Sequence, residues 1–85
     1  MPEITIYTKF LCPHCHAAKR LLLQKGAEVR EVDITFDRAR REEMLERAGG
    51  RHTVPQIFIG DTHVGGCDAL YALEDDGELD TLLAG

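Results

Sequence analysis

The sequence predicts an α/β fold: four strands in one mixed sheet, ordered βαβαββα with a last helical turn and flanked by helices. Three observations carry this reading. Strand-like and helix-like periodicities alternate twice in the first half of the chain. A Cys-x-x-Cys, Cys12-Pro13-His14-Cys15, falls at the first strand-to-helix boundary. Two short branched runs after residue 54 are joined by the turn signal Gly60-Asp61. The length of 85 residues allows one domain, 1–85, with a modest core. A hydrophobic content of 44%, three Pro and no biased tract leave enough apolar material to fold without disulfide staples.

Each element has its own signal. Ile4-Thr5-Ile6-Tyr7-Thr8 alternates branched and aromatic residues over a strand's length. From Pro13, Ala17, Ala18, Leu21 and Leu22 recur at helical spacing; proline suits the first turn and Gly26 ends the pattern. Glu28 to Ile34 reads as a second strand with imperfect alternation, and a right-handed crossover sets it parallel to the first. Asp37 caps a second helix running to about Ala48, where Gly49-Gly50 stops it. Pro55 to Ile59 and Thr62 to Val64 form an antiparallel hairpin, and Gly65-Gly66 breaks the second of these strands. Asp68 to Leu73 and Glu78 to Leu83 complete the chain as helices.

A net charge of -5 and a pI near 5.2 argue against a nucleic-acid partner, which demands a basic face. Arg38, Arg40 and Arg41 are interrupted by acidic neighbours and read as a solvated helix face. The N-terminus shows neither an export signal nor a span for a membrane, so a cytoplasmic protein is expected. In that reducing compartment, three cysteines point to chemistry or metal binding rather than to structural disulfides.

A Cys-x-x-Cys opening a helix brings two sulfurs within disulfide reach. It sets Cys12 where unpaired N–H groups and the helix dipole favour an anion. A thiolate is the attacking species in thiol–disulfide exchange, so Cys12 is the expected nucleophile and Cys15, one turn inside, the resolving thiol. Pro13 stiffens the loop. His14 either adds a positive charge beside Cys12 or is an exposed polar residue of little influence. The competing reading is a zinc site of Cys12, Cys15 and Cys67 with His63 or His16. The strand–helix context and the self-sufficient apolar content weigh against it, and no metal is expected.

Ile6-Tyr7-Thr8-Lys9 before Cys12-Pro13-His14-Cys15, then Thr53-Val54-Pro55-Gln56-Ile57-Phe58-Ile59, then Gly65-Gly66-Cys67-Asp68, together resemble the dithiol glutaredoxins, particularly the short bacterial kind. The resemblance implies a thioredoxin-like fold and glutathione-dependent reduction of protein disulfides and glutathione mixed disulfides. It implies glutathione as redox co-substrate with no tightly bound cofactor, and ribonucleotide reductase as a plausible client; a monomer is the default expectation. It makes Pro55 a cis-proline facing the cysteines, with Thr53 and Val54 presenting backbone groups to the cysteinyl part of glutathione. Gly66 lets the backbone approach. The N–H groups of Cys67 and Asp68 receive the γ-glutamyl carboxylate, Asp68 pairs with its ammonium, and Lys9 meets the other end. By its place in the active-site loop His14 belongs to the same set. Cys67 is either a small buried apolar residue or a third redox-active thiol.

Two positions depart from the family pattern: His14 stands where many members have Tyr, and Ala69 where many have a second Asp. Both bear on glutathione affinity and potential, not on the reaction type. Cys-Pro-His-Cys is also the motif of the periplasmic oxidase DsbA, from which only the electrostatic tendency carries over. Two further functions stay open: a hydrogen donor recycled by thioredoxin reductase, against which Gly65-Gly66-Cys67-Asp68 speaks, and a [2Fe–2S] carrier built on Cys12 of two chains and two glutathiones, which Pro13 disfavours.

Overall fold

The computed structural model describes residues 2–85. Its elements are β1 (Ile4–Thr8), α1 (Pro13–Gln24), β2 (Val29–Asp33), α2 (Arg38–Arg47), β3 (Gln56–Ile59), β4 (Thr62–Gly65), α3 (Cys67–Asp75) and α4 (Glu78–Ala84). The sheet runs β2-β1-β3-β4, with β1 parallel to β2 and antiparallel to β3, and β3 antiparallel to β4. The parallel first pair and the hairpin are those the sequence predicts.

Helix starts follow local chemistry. Pro13 occupies the first turn of α1 behind Cys12 as N-cap, and Gly26 leaves the helix with φ +77°. The Asp37 carboxylate accepts the Arg40 N–H at 3.0 Å and starts α2. The expected boundaries shift at the C-terminal end: β4 continues through Gly65, and α3 begins at Cys67 and reaches Asp75. Gly65, at φ +109°, pairs with Ile57 across a register irregularity, so the strand persists while the chain turns into α3.

β1 is buried along its whole length, Thr5 and Thr8 included, because helices cover both faces of the sheet. Ile4, Ile6, Ile57 and Ile59 pack on one face with Ala18, Leu21 and Leu22 of α1, Leu70 of α3, and Leu79 and Leu83 of α4. Tyr7, Val32 and Phe58 face the other side, against Met44 of α2 and Ala48. The period-two alternation of a strand therefore sorts the side chains of β1 and β3 between two cores, while β1 runs toward Cys12 at its C-terminal end. No helix among the described residues is long and apolar enough to cross a membrane.

Candidate active site

The C-terminal end of β1 delivers the cysteines. Leu11 takes a positive φ of 55°, uncommon for a residue with a side chain, and turns the backbone into the helix. Cys12 follows in extended conformation, its Sγ accepting the Cys15 N–H at 3.2 Å and its carbonyl accepting the His16 N–H at 3.2 Å. The sulfur thus serves as the helix cap, in the position where orphan N–H groups are aimed. Cys12 is half-buried, while Cys15 is only 4% exposed, and both are free thiols. Burial first, then the hydrogen bond to Cys12, pushes the Cys15 thiol up to about 12; a backbone hydrogen bond from Lys9 opposes this.

Beside the cysteines lies a groove of about 330 Å³. It brings together His14, Thr53, Val54, Pro55, Gly66, Cys67 and Asp68 from three separate stretches of sequence, and Arg51 and Ala69 line it too. The Val54–Pro55 bond is cis. Gly66 caps α3 without any side-chain hydrogen bond, so the first N–H groups of that helix face the groove uncapped. Cys67 is half-buried against the larger core, and its thiol is pushed up by burial and by the charges of Asp68 and Cys12. Two residues expected to bind glutathione, Lys9 and Cys12, do not line the groove: the Lys9 side chain is exposed and only its backbone reaches Cys15, and Cys12 is half-buried at the helix cap.

The edge of the groove is held from behind. Gln56, wholly buried, donates its amide to the Thr53 carbonyl at 2.9 Å and to Thr53 Oγ1 at 3.2 Å. Its Oε1 lies 2.7 Å from Nε2 of His63, and since an amide oxygen only accepts, that nitrogen carries the hydrogen. The His63 ring stacks on Phe58 at 4.8 Å, and Arg47 sits 4.1 Å over the other ring's centroid. This arrangement commits His63 to the sheet. Among the described residues, no three His, Cys, Asp or Glu side chains form a cluster that could hold a metal ion, and the proposed zinc set is not brought together.

Gln56 and Arg51 are not singled out by the sequence, and His63, read there as a candidate zinc ligand, instead bonds Gln56 behind the groove. Gln56 and His63 look like ordinary strand residues until β3 and β4 pair. Arg51's only signal is a basic residue two positions before Thr53. A larger hollow of about 670 Å³ sits at the opposite end of the sheet among Pro2, Glu3, Gly26 and Glu28, and it offers no nucleophile.

Comparison with known proteins identifies the family. The sequence profile of the glutaredoxin family matches residues 4–64. Glutaredoxin 3 of Escherichia coli (strain K12) is 55% identical over 83 residues, spanning 98% of this chain and 99% of that protein. The solution structure of glutaredoxin from Brucella melitensis is 58% identical with a TM-score of 0.83, over 98% of this chain and 89% of the other. The crystal structure of a buckwheat glutaredoxin–glutathione complex superposes with a TM-score of 0.86 at 30% identity, over 98% of this chain and 77% of that one. With the profile covering most of its length and a bacterial relative matching nearly end to end, the chain belongs to the glutaredoxin family, thiol–disulfide oxidoreductases built on the thioredoxin-like fold.

Proposed function

We propose that the domain formed by residues 1–85 reduces glutathione mixed disulfides and protein disulfides with glutathione as the electron source, Cys12 being the nucleophile and Cys15 the resolving thiol. The observation that carries the reading is the groove next to the active-site loop, whose lining gathers seven of the nine residues assigned to glutathione from separate parts of the sequence. Glutathione lies along it with its cysteinyl backbone on Thr53 and Val54 next to cis-Pro55. Its γ-glutamyl carboxylate sits on the open N–H groups of Cys67 and Asp68, its ammonium on Asp68, and Gly66 gives the room. Lys9 reaches the other carboxylate from outside the groove, His14 closes the near wall, and Arg51 adds a cation to the lining.

With a mixed disulfide bound, the Cys12 thiolate attacks the glutathione sulfur. The old S–S bond breaks, the client leaves as a thiolate that takes a proton, and Cys12 is left joined to glutathione. A second glutathione thiolate attacks that bond, releasing glutathione disulfide and restoring Cys12. Cys15 is poorly ionised while Cys12 is free, because of its burial and its neighbour's sulfur. It therefore does not compete for the first attack. Once Cys12 is in a disulfide, the part of the penalty due to the free Cys12 sulfur is gone, and Cys15 can resolve a protein mixed disulfide. Clients on this reading are disulfide-containing and glutathionylated proteins of the cytoplasm, with ribonucleotide reductase the one the family resemblance names, and the enzyme acts as a monomer without nucleic acid, membrane or bound metal.

The test is turnover of a small glutathione mixed disulfide coupled to glutathione, glutathione reductase and NADPH. Wild type and Cys15→Ser are expected to turn over and Cys12→Ser to be dead. An inactive wild type that reduces disulfides with thioredoxin reductase would replace this reading with the hydrogen-donor one. A brown protein whose visible absorption is lost in Cys12→Ser would replace it with the cluster carrier.

A further inference from the structure

The sheet order places β1, which leads to Cys12, between β2 and β3, so its two edges face different neighbours. The antiparallel register sets Gln56 beside Tyr7, which brings the start of β3 and the glutathione groove to one side. The parallel register sets Asp33 beside Thr8, which brings the end of β2 and its following loop to the other. That second side carries a hollow of about 430 Å³ lined by Phe10, Asp33, Thr35, Phe36 and Asp37. Leu11 stands between it and Cys12 in sequence. Phe10 is 71%, Leu11 79% and Phe36 99% exposed, an apolar group with no role in the core. Large apolar side chains clustered this openly mark an interaction surface rather than ordinary scatter.

The hollow is built, not frayed. The Phe10 N–H donates to Thr35 Oγ1 at 2.7 Å, tying the loop before Cys12 to the loop after β2. Thr35 in turn donates its N–H and hydroxyl to Asp33 Oδ1 at 2.8 and 2.6 Å. Those two bonds hold the Asp33 carboxyl below its usual range, so it stays charged. Asp37 keeps one carboxylate oxygen on the Arg40 N–H. Two aromatic rings framed by two carboxylates, on a chain of net charge -5, complement a segment that is apolar and basic.

We propose that this hollow is the docking site for protein disulfides, and that it selects a client segment presenting a bulky apolar side chain and Lys or Arg next to the disulfide. The proposal rests on Cys12 being the nucleophile and deepens that reading. The docked client's disulfide is attacked by the Cys12 thiolate: its S–S bond breaks, Cys12 joins one client sulfur, and the other leaves as a thiolate. Cys15 then attacks Cys12, its proton passing to a released client thiolate, and the Cys12–Cys15 disulfide forms. The client gains two electrons from the enzyme, one proton from Cys15 and one from water, and two glutathiones return the enzyme to the dithiol as they become glutathione disulfide.

The test is single-turnover reduction by the pre-reduced protein, without glutathione, of two peptides that each hold one internal disulfide. One carries Phe and two Lys beside the reactive cysteine; the other carries Ser and two Glu. Wild type should reduce the first about tenfold faster or more, the size expected for one buried aromatic anchor with charge complementarity. The double variant Phe10→Ser/Phe36→Ser should lose most of that advantage, and Asp33→Asn/Asp37→Asn, which keeps the Thr35 bonds and the helix cap, should lose its salt-dependent part. Turnover of a small glutathione mixed disulfide should stay within about twofold in both, because neither variant touches the glutathione groove. Equal rates on the two peptides, or equal losses on peptide and small substrate, overturn the proposal. So does a wild-type dimer that Phe36→Ser dissolves, since the surface would then serve a second copy of the chain. A wild type that keeps the peptide preference but fails on the small mixed disulfide sinks the glutathione reading and leaves the docking site standing.

Discussion

At the scale of single residues, the two cysteines of one motif are made chemically unlike by burial. Cys12 caps the helix with its sulfur partly exposed, whereas Cys15 is sealed inside the first turn and its thiol is pushed from 9.0 to about 12. An acid whose folded-state value is raised stabilises the fold fully below its unfolded value, and that stability is lost as pH climbs toward the folded one. Urea unfolding of the wild type relative to Cys15→Ala is therefore expected to show a constant difference up to about pH 9 that shrinks between pH 9 and 12. A flat difference across that window would mean that Cys15 is not buried as described. Leu11 shows the opposite economy, a strained backbone kept next to the nucleophile. Leu11→Gly should relieve about 1 kcal/mol of that strain, less the entropy glycine adds to the unfolded chain, so a midpoint unchanged or slightly raised is expected in thermal unfolding. A clear loss of stability would show that the Leu11 side chain contributes contacts that outweigh its backbone.

At the scale of elements, the site is shaped by strand ends. The antiparallel β3–β4 pair carries the chain His63–Gln56–Thr53, so a buried amide in the sheet fixes the edge along which glutathione is proposed to lie. Gln56→Leu fills the same space but strands the Thr53 carbonyl and the His63 N–H. It should destabilise the protein by about 1–3 kcal/mol and raise KM for a glutathione mixed disulfide more than it lowers kcat. Unfolding and steady-state kinetics on one preparation check both, and an unchanged KM would separate Gln56 from the groove. The strand of the hairpin was legible as a run of branched residues, but nothing in the run marks Gln56 as buried, since polar residues in strands ordinarily face water. Only the pairing that buries both faces of β3 makes that amide structural.

At the scale of the whole molecule, 85 residues stabilise two thin cores on either side of one sheet, and a domain of this size is expected to have only about 4–13 kcal/mol of stability. Leu22 is wholly buried where α1 meets the sheet. Leu22→Ala should cost about 2–5 kcal/mol and lower Tm by roughly 10 °C or more, read by circular dichroism. A smaller drop would mean that the core collapses around the missing side chain. What the sequence determined by itself was the order of elements, the parallel and antiparallel pairings and the cysteine motif at a helix start, because these follow from periodicity, capping and crossover handedness within short stretches of chain. Glycine and proline signals marked the ends, apart from β4, which runs through Gly65 because a positive φ lets a strand bend without ending. The family motifs named most of the groove's residues, but Arg51 and the support from Gln56 and His63 emerged only when β3, β4 and α3 packed together. Tertiary structure alone decided that Cys15 is buried while Cys12 is half-exposed, that Lys9 stands outside the groove, and that Phe10 and Phe36 line one hollow. Burial and proximity between distant segments are properties of packing, and no local pattern in the chain encodes them.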